Sequence, residues 1–436
     1  MPSRLIGSLA TTDDLVDLFS DRSVLAALLA FEVALARAQA RLGMIPPAAA
    51  EAIARAATVE SFDADAIASA ARKSASIAIP LVSALTARLR EIDEPSARYV
   101  HWGATSQDVV DTAMVLLLGR AKSILARDHA RVERSLRALS EKHKDTVMLA
   151  RTLLQPAPPI TFGYKVAGWY AAIHRSWPFG TVLPLQFGGA SGTLASYGKD
   201  GPALARELAS ELGLPLAAAP WHTHRDRFAT LVTRCGIYVG ALGKMARDIS
   251  LLMQHEVGEV AEAGGGSSAM PNKQNPSGCA IALAAANRTP GLVSSFLSGM
   301  IQEHERGVGG WQSEWPTVSA VVEATGSALA AMADVVEGLT VYPERMRTNI
   351  AATNGVIFAE KASMLLTAQV GREHAHALLA DAAREAVETA RPMREILARA
   401  GLLTAQQLAE LDRPEDYLGA TEEFRRRLLE DRNAAD

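Results

Sequence analysis

With 436 residues, 49% of them hydrophobic and 21% charged, the chain is long enough for a large core and has an ordinary globular composition. A net charge of −4 argues against nucleic acid as the main partner, although a mildly acidic protein can still hold a locally basic site. Aromatics make up only 5% and alanine is abundant, so cores of closely approaching helices with small aliphatic contacts are expected.

No signal-peptide pattern follows Met1, and the apolar run Val24–Ala36 is interrupted by Glu32 and closed by Arg37. No membrane span is expected, and the reading is a cytoplasmic protein. Residues 12–43 predict a helix that Thr12 or Asp13 would cap, with Leu25, Leu28, Leu29, Val33, Leu35 and Leu42 on its apolar face and Gly43 at its end. Helices follow over Ala48–Ala57 and Ala64–Leu89, the second with Pro80 as a break or kink. No period-two alternation marks a strand here. From Thr105, with Asp108 three residues on as an acidic variant of the capping box, apolar residues recur from Val110 to Leu139. They predict one helix to about Lys144, on the order of 55–60 Å long at 1.5 Å per residue, a length that suits a helical bundle.

Pro156, Pro158 and Pro159 predict an interruption, and Phe162–Arg175 is helical again. The loop Gly188-Gly189-Ala190-Ser191-Gly192 does not fit G-x-G-x-x-G and follows no strand, so a dinucleotide site is excluded. Further helices are predicted over Gly201–Leu212, Asp226–Ala261, Pro276–Ser298, Pro316–Glu337 and Asn354–Leu379. Cys235 and Cys279 supply neither a disulfide framework nor a metal set and suit a reducing compartment. The expectation is an all-α chain in three sections: 1–100, a central helical bundle over 101–345, and 346–436.

Three stretches carry chemistry. In Gly264–Pro276, three glycines free the backbone before Ser267, Ser268, Lys273 and Asn275, and an alanine-rich helix follows. Such a loop delivers hydroxyl, ammonium and amide groups to a helix N-terminus that favours an anion; the plainer alternative is a flexible linker. In His101–Thr112, the Thr105 and Ser106 hydroxyls with the first helical N–H groups could hold a carboxylate, or could simply cap. Arg151–Gln155 with Pro159–Gly163 is either a third cluster or a proline-rich connector. His222 and His224 near Asp226 lack a clear third metal ligand and read as substrate-site or surface residues. Arg306 beside Glu305 is an anion anchor or half of an ion pair.

Gly266–Pro276 closely resembles the G-S-S-x-x-M/L-P-x-K-x-N-P loop of the fumarase/aspartase superfamily, and the three stretches coincide in order and spacing with its three signature regions. Phe31–Ala36 and Glu256–Val260 extend the resemblance along nearly the whole chain. Within the superfamily, Tyr99–Thr112, Trp221-His222-Thr223 and above all Gln302–Trp315 are similar to bacterial 3-carboxy-cis,cis-muconate cycloisomerases. The resemblance implies an all-helical homotetramer whose sites are each assembled from three subunits, acting on a small anionic tricarboxylate with no metal and no organic cofactor. It implies Ser267 as the proton-transferring residue, with Ser268 behind it, and Lys273 and Asn275 on the activated carboxylate. Thr105, Ser106, Thr152 and Gln155 match carboxylate-binding positions, His101 is a further donor, and His222 and Arg306 complete the substrate-binding candidates.

One departure bears on the chemistry. Hydratases, aspartases and adenylosuccinate lyases of the superfamily carry His, and the cycloisomerases tend to carry Trp, where this chain has Leu153; Pro156 and Tyr164 also depart. A leaving amine or hydroxide needs a general acid, whereas a carboxylate is stable as an anion and needs none. The activity expected is lactonisation of 3-carboxy-cis,cis-muconate. The alternatives are a lyase releasing fumarate from a substituted succinate, with His101 as its acid, and a helical scaffold without catalysis.

Overall fold

The computed structural model describes residues 4–180, 182–266, 270 and 273–430, which are mostly helical with two short strand pairs, as an all-α chain should be. Near the N-terminus one long helix is replaced by two: Asp13–Leu18, headed by Thr12, and α1 (Asp21–Arg41). Ser20, not Thr12, makes the side-chain cap, accepting the Ser23 N–H at 3.3 Å. Leu25, Leu28, Phe31, Leu35 and Ala38 of α1 are all buried, and each large side chain so placed contributes roughly 1.5–3 kcal/mol.

The next break falls at Ala75, which adopts φ 50°, rather than at Pro80. Pro80 sits in the first turn of Ala78–Asp93, where its missing N–H leaves no helical bond unmade. The long helix appears as α2 (Ser106–Lys142), with Val109, Leu117, Ala121, Val132 and Leu136 buried along one side.

Where the prolines predict only an interruption, the chain forms an antiparallel hairpin of β1 (Val147–Thr152) and β2 (Gln155–Thr161). Thr152 pairs with Gln155, so Leu153 and Leu154 alone make the turn, at φ 50° and 66°. Prolines are tolerated because neither strand is flanked on both sides. Next comes α3 (Phe162–Arg175), which Thr161 caps by accepting the Tyr164 N–H.

Further on, α4 (Asp226–Leu252) stops short of Ala261 because β3 (Val260–Ala261) pairs with a strand near residue 340. Then come α5 (Ser277–Ser298), α6 (Gly310–Glu337) and β4 (Thr340–Val341), the partner of β3. Pro316, expected to start α6, lies inside it: buried Trp311 and Glu314 hold the preceding turn in place. By length and composition, α1 and α6 could each cross a membrane, contrary to the expectation from Val24–Ala36; both are mostly buried within the fold, as core helices are.

The chain divides into two compact units, Met1–His129 with Trp177–Gly240 and Ala284–Ala330, and Ala130–Ser176 with Ala241–Leu283 and Ala331–Asp436. In the second, Val147 and Leu149 of β1 join Leu366, Leu379 and Leu397 of the C-terminal helices in one apolar core.

Candidate active site

In the first unit, the opening turn of α2 is organised by Asp108, which is fully buried. Its Oδ2 accepts the Thr105 N–H at 3.1 Å, half of the capping box expected from the sequence. The same carboxylate also accepts the Gly188 and Gly189 N–H groups, both at 2.9 Å, the Gln186 amide and His222 Nε2. The glycine-rich loop therefore does cradle an anion, and the anion is the protein's own. Glycine is required at 188, where an added Cβ would lie 2.7 Å from Pro220 Cβ.

Below Asp108 sits a buried ion cluster. The Arg225 guanidinium donates to both oxygens of Asp111, at 2.7 and 3.1 Å, and to Glu314, with its shortest bond at 2.6 Å. Trp311 Nε1 donates to Asp111 and Gln302 to Glu314, both at 2.9 Å. Burial alone would discharge Arg225, but Asp111 and Glu314 outweigh it and hold the guanidinium firmly protonated. The cluster joins α2, the start of α4 and α6 beneath the residues that face outward.

Those residues are His101, Thr105, Ser106 and Arg306. Arg306 donates to the Thr105 and Ser106 hydroxyls, at 2.5 and 3.1 Å, and meets no carboxylate among the described residues, so the ion pair with Glu305 is not made. Both hydroxyls keep their own O–H for a ligand. His101 adopts φ 55° and donates from Nδ1 to Glu32 at 2.7 Å. His222 is placed differently: its side chain is 3% exposed and supports Asp108 from within.

In the second unit, Thr152 and Gln155 lie exposed at the hairpin's end, beside Leu153 and Leu154, which are 97% and 75% exposed. The hairpin is tied down by Arg151, whose guanidinium makes two bonds of 2.9 and 2.7 Å to fully buried Glu259. Ser267 and Ser268 lie outside the described residues. Lys273 is exposed, while the Asn275 N–H donates to Gly265 O at 2.6 Å and closes the base of the loop.

The helix N-terminus expected to receive an anion is already occupied. Glu262 accepts the Gly278 and Cys279 N–H groups of α5, at 2.9 and 3.0 Å. Gly265 has φ 81°, and a Cβ there would come within 2.0 Å of Asn275 O. Gly265→Ala should therefore displace the Asn275 backbone. Steady-state assays should show a loss of about tenfold or more, equivalent to about 1.4 kcal/mol, with the far-ultraviolet circular dichroism unchanged.

A family model described as lyase matches residues 8–291, and one described as adenylosuccinate lyase C-terminus matches 355–428. The chain belongs to the fumarase/aspartase superfamily. It is 45% identical to a 3-carboxy-cis,cis-muconate cycloisomerase of Bradyrhizobium diazoefficiens, over 94% of each chain. A nitrosuccinate lyase of Streptomyces davaonensis is 40% identical, over 92% of this chain and 89% of its own. The crystal structure of 3-carboxy-cis,cis-muconate lactonizing enzyme from Pseudomonas putida superposes with a TM-score of 0.91 at 39% identity, covering 98% of both chains.

As a fumarase/aspartase superfamily member, the chain carries its first signature region in one compact unit and the second and third in the other. His101, Thr105, Ser106 and Arg306 are brought to one surface, and Thr152 with Gln155 to another. The sequence reading missed Glu32, Asp111, Arg225 and Glu314. The available signal was an ionisable residue on an otherwise apolar helix, as at Glu32 within Phe31–Ala36.

Proposed function

We propose that this chain is a cycloisomerase that closes 3-carboxy-cis,cis-muconate to its γ-carboxy lactone. A substrate carboxylate oxygen bonds to a carbon of the double bond. The π electrons move to the neighbouring carbon and its carboxylate, and that carbon then takes a proton from Ser267. Lys273 and Asn275 hold the enolate-like dianion, whose charge must be met by fixed donors. Arg306, Thr105, Ser106 and His101 bind a second carboxylate, and Thr152 with Gln155 a third. His222 acts behind them by orienting Asp108.

The observation that carries this reading is the hairpin tip. Where other branches place a general acid, Leu153 and Leu154 offer no proton, which a nucleophile or leaving group stable as an anion tolerates. The cycloisomerase relative supports the same reaction. Exposed Thr152, Gln155 and Lys273 on a lone protomer suit sites completed by other copies in a homotetramer. The reading needs neither a metal nor an organic cofactor, and we place the enzyme in the cytoplasm.

Purified protein should bleach the ultraviolet absorbance of the muconate; unchanged absorbance would remove the assignment. A second reading is favoured by the nitrosuccinate lyase relative, since nitrite also leaves as a stable anion. Joint release of fumarate and nitrite from nitrosuccinate, with the muconate untouched, would establish it instead.

Arg306 supplies a further test, because its charge is left for a ligand. Arg306→Gln should raise KM about 10- to 100-fold, the 1.5–3 kcal/mol of a charged hydrogen bond, and change kcat less. Arg306→Lys should recover only part of this, since an ammonium cannot reproduce the planar fork. Steady-state kinetics separate the two constants.

A further inference from the structure

We propose that Glu32 is a positioning residue that holds His101 as an imidazolium, leaving the Nε2–H as the donor for a substrate carboxylate. The inference rests on the reading that His101 lies at the substrate, and it adds a residue that the reading does not use.

An acid at position 32 is costly for the fold. Glu32 is 2% exposed, flanked by buried Phe31, Ala34, Leu35 and Ala36 on α1. One oxygen meets His101 Nδ1 at 2.7 Å, and the other, Oε2, is buried without a partner. A half-satisfied carboxylate in such surroundings is retained only if its charge is matched. Anchoring the loop does not call for that charge. Two turns further along α1, the neutral Gln39 amide donates to Trp102 O at 2.8 Å, and the Tyr197 hydroxyl donates to the same oxygen. These two contacts already pin the backbone of the His101–Gly103 segment.

What Glu32 adds is control of one ring. His101 is held in the left-handed region, at φ 55°, a conformation that costs a side-chain-bearing residue energy. Its side chain remains 18% exposed, with Nδ1 spent on Glu32 and Nε2 meeting no partner among the described residues. Bonding Nδ1–H to a carboxylate sets the ring's orientation and secures its proton, as a second group does for many functional histidines.

The charged groups around the ring agree. Burial by itself would discharge the imidazole; the Glu32 carboxylate outweighs it, with Asp108 of α2 assisting, and the net effect lifts His101 above the ordinary histidine range. Tyr197, the other titratable neighbour of Glu32 and Asp108, is pushed up by burial and stays a neutral hydroxyl. Because the His101 value is raised, the cation persists to higher pH than on an ordinary histidine and is lost as pH rises through that raised value. Without Glu32, burial is opposed only by Asp108, so the cation should be lost at lower pH.

The test measures kcat/KM for the muconate against pH in the full-length protein. Glu32→Gln should lower kcat/KM about 10- to 100-fold at neutral pH, the span one hydrogen bond to a charged group supplies, and move the alkaline limb to lower pH. Glu32→Asp should restore part of both. In a His101→Asn background, Glu32→Gln should leave the limb where it is. A uniform loss with an unmoved limb, or the same loss in the His101→Asn background, would overturn the proposal and leave Glu32 a structural acid. If the wild type does not act on the muconate, the functional reading fails separately. NMR titration of histidine-labelled protein still decides the pair: His101 must titrate above free histidine, and below its wild-type value in Glu32→Gln.

Discussion

Ser267→Ala is expected to lower kcat for muconate lactonisation about 10²–10⁴-fold, the usual contribution of a positioned proton donor. A proton on carbon beside a carboxylate is only weakly acidic, so its transfer in either direction must be concerted with stabilisation of the dianion. In the superfamily reading one loop supplies both: Ser267 moves the proton while Lys273 and Asn275 hold the charge. Alanine removes the proton carrier and leaves the binding groups, so the loss should fall on kcat with KM nearly constant, the mark of an interaction made only in the transition state. Ser268→Ala should cost much less. Comparable losses in the two variants would mean that Ser267 is not the distinct proton carrier.

The second large effect concerns stability. Arg225→Met should destabilise the protein by about 3–5 kcal/mol, as removal of one partner of a buried ion pair does. The Arg225 side chain is 0% exposed, and Asp111 and Glu314 are each 2% exposed. Removing the guanidinium leaves two buried carboxylates supported only by neutral donors such as Trp311, Gln302 and Gln107. Since whole domains are stable by about 5–15 kcal/mol, the loss should be plain in a urea midpoint. Arg225→Lys should recover little, because one ammonium cannot serve two carboxylates in the plane of a fork. A midpoint within about 0.5 kcal/mol of wild type, the ordinary range for surface changes, would contradict the buried-cluster account. Activity should fall along with stability, because the cluster underlies the turn that presents Thr105 and Ser106 to Arg306.

Local signals made the long helices legible. The seam from Val110 to Leu139 located α2 to within a few residues, and Gly201–Leu212 ends at both predicted residues. The hairpin was not legible. Its turn is Leu153-Leu154, with none of the Asn-Gly chemistry that marks a two-residue turn, and prolines crowd its second strand. Tertiary packing moved other boundaries, as when Trp311 and Glu314 carried α6 back beyond Pro316. The motif residues His101, Thr105, Ser106, Thr152 and Gln155 stand out in sequence because the superfamily pattern is linear. Their supports do not, since Arg225 finds Asp111 across 114 positions and His101 finds Glu32 across 69. Only folding brings such pairs together.

The assignment is tested most directly by incubating the purified protein with 3-carboxy-cis,cis-muconate and, in parallel, with nitrosuccinate, and following both mixtures by proton NMR. The cycloisomerase reading predicts that the muconate's vinyl signals give way to those of the γ-carboxy lactone, while nitrosuccinate is spared and Ser267→Ala leaves the muconate intact. Unchanged muconate beside fumarate growing from nitrosuccinate would contradict it.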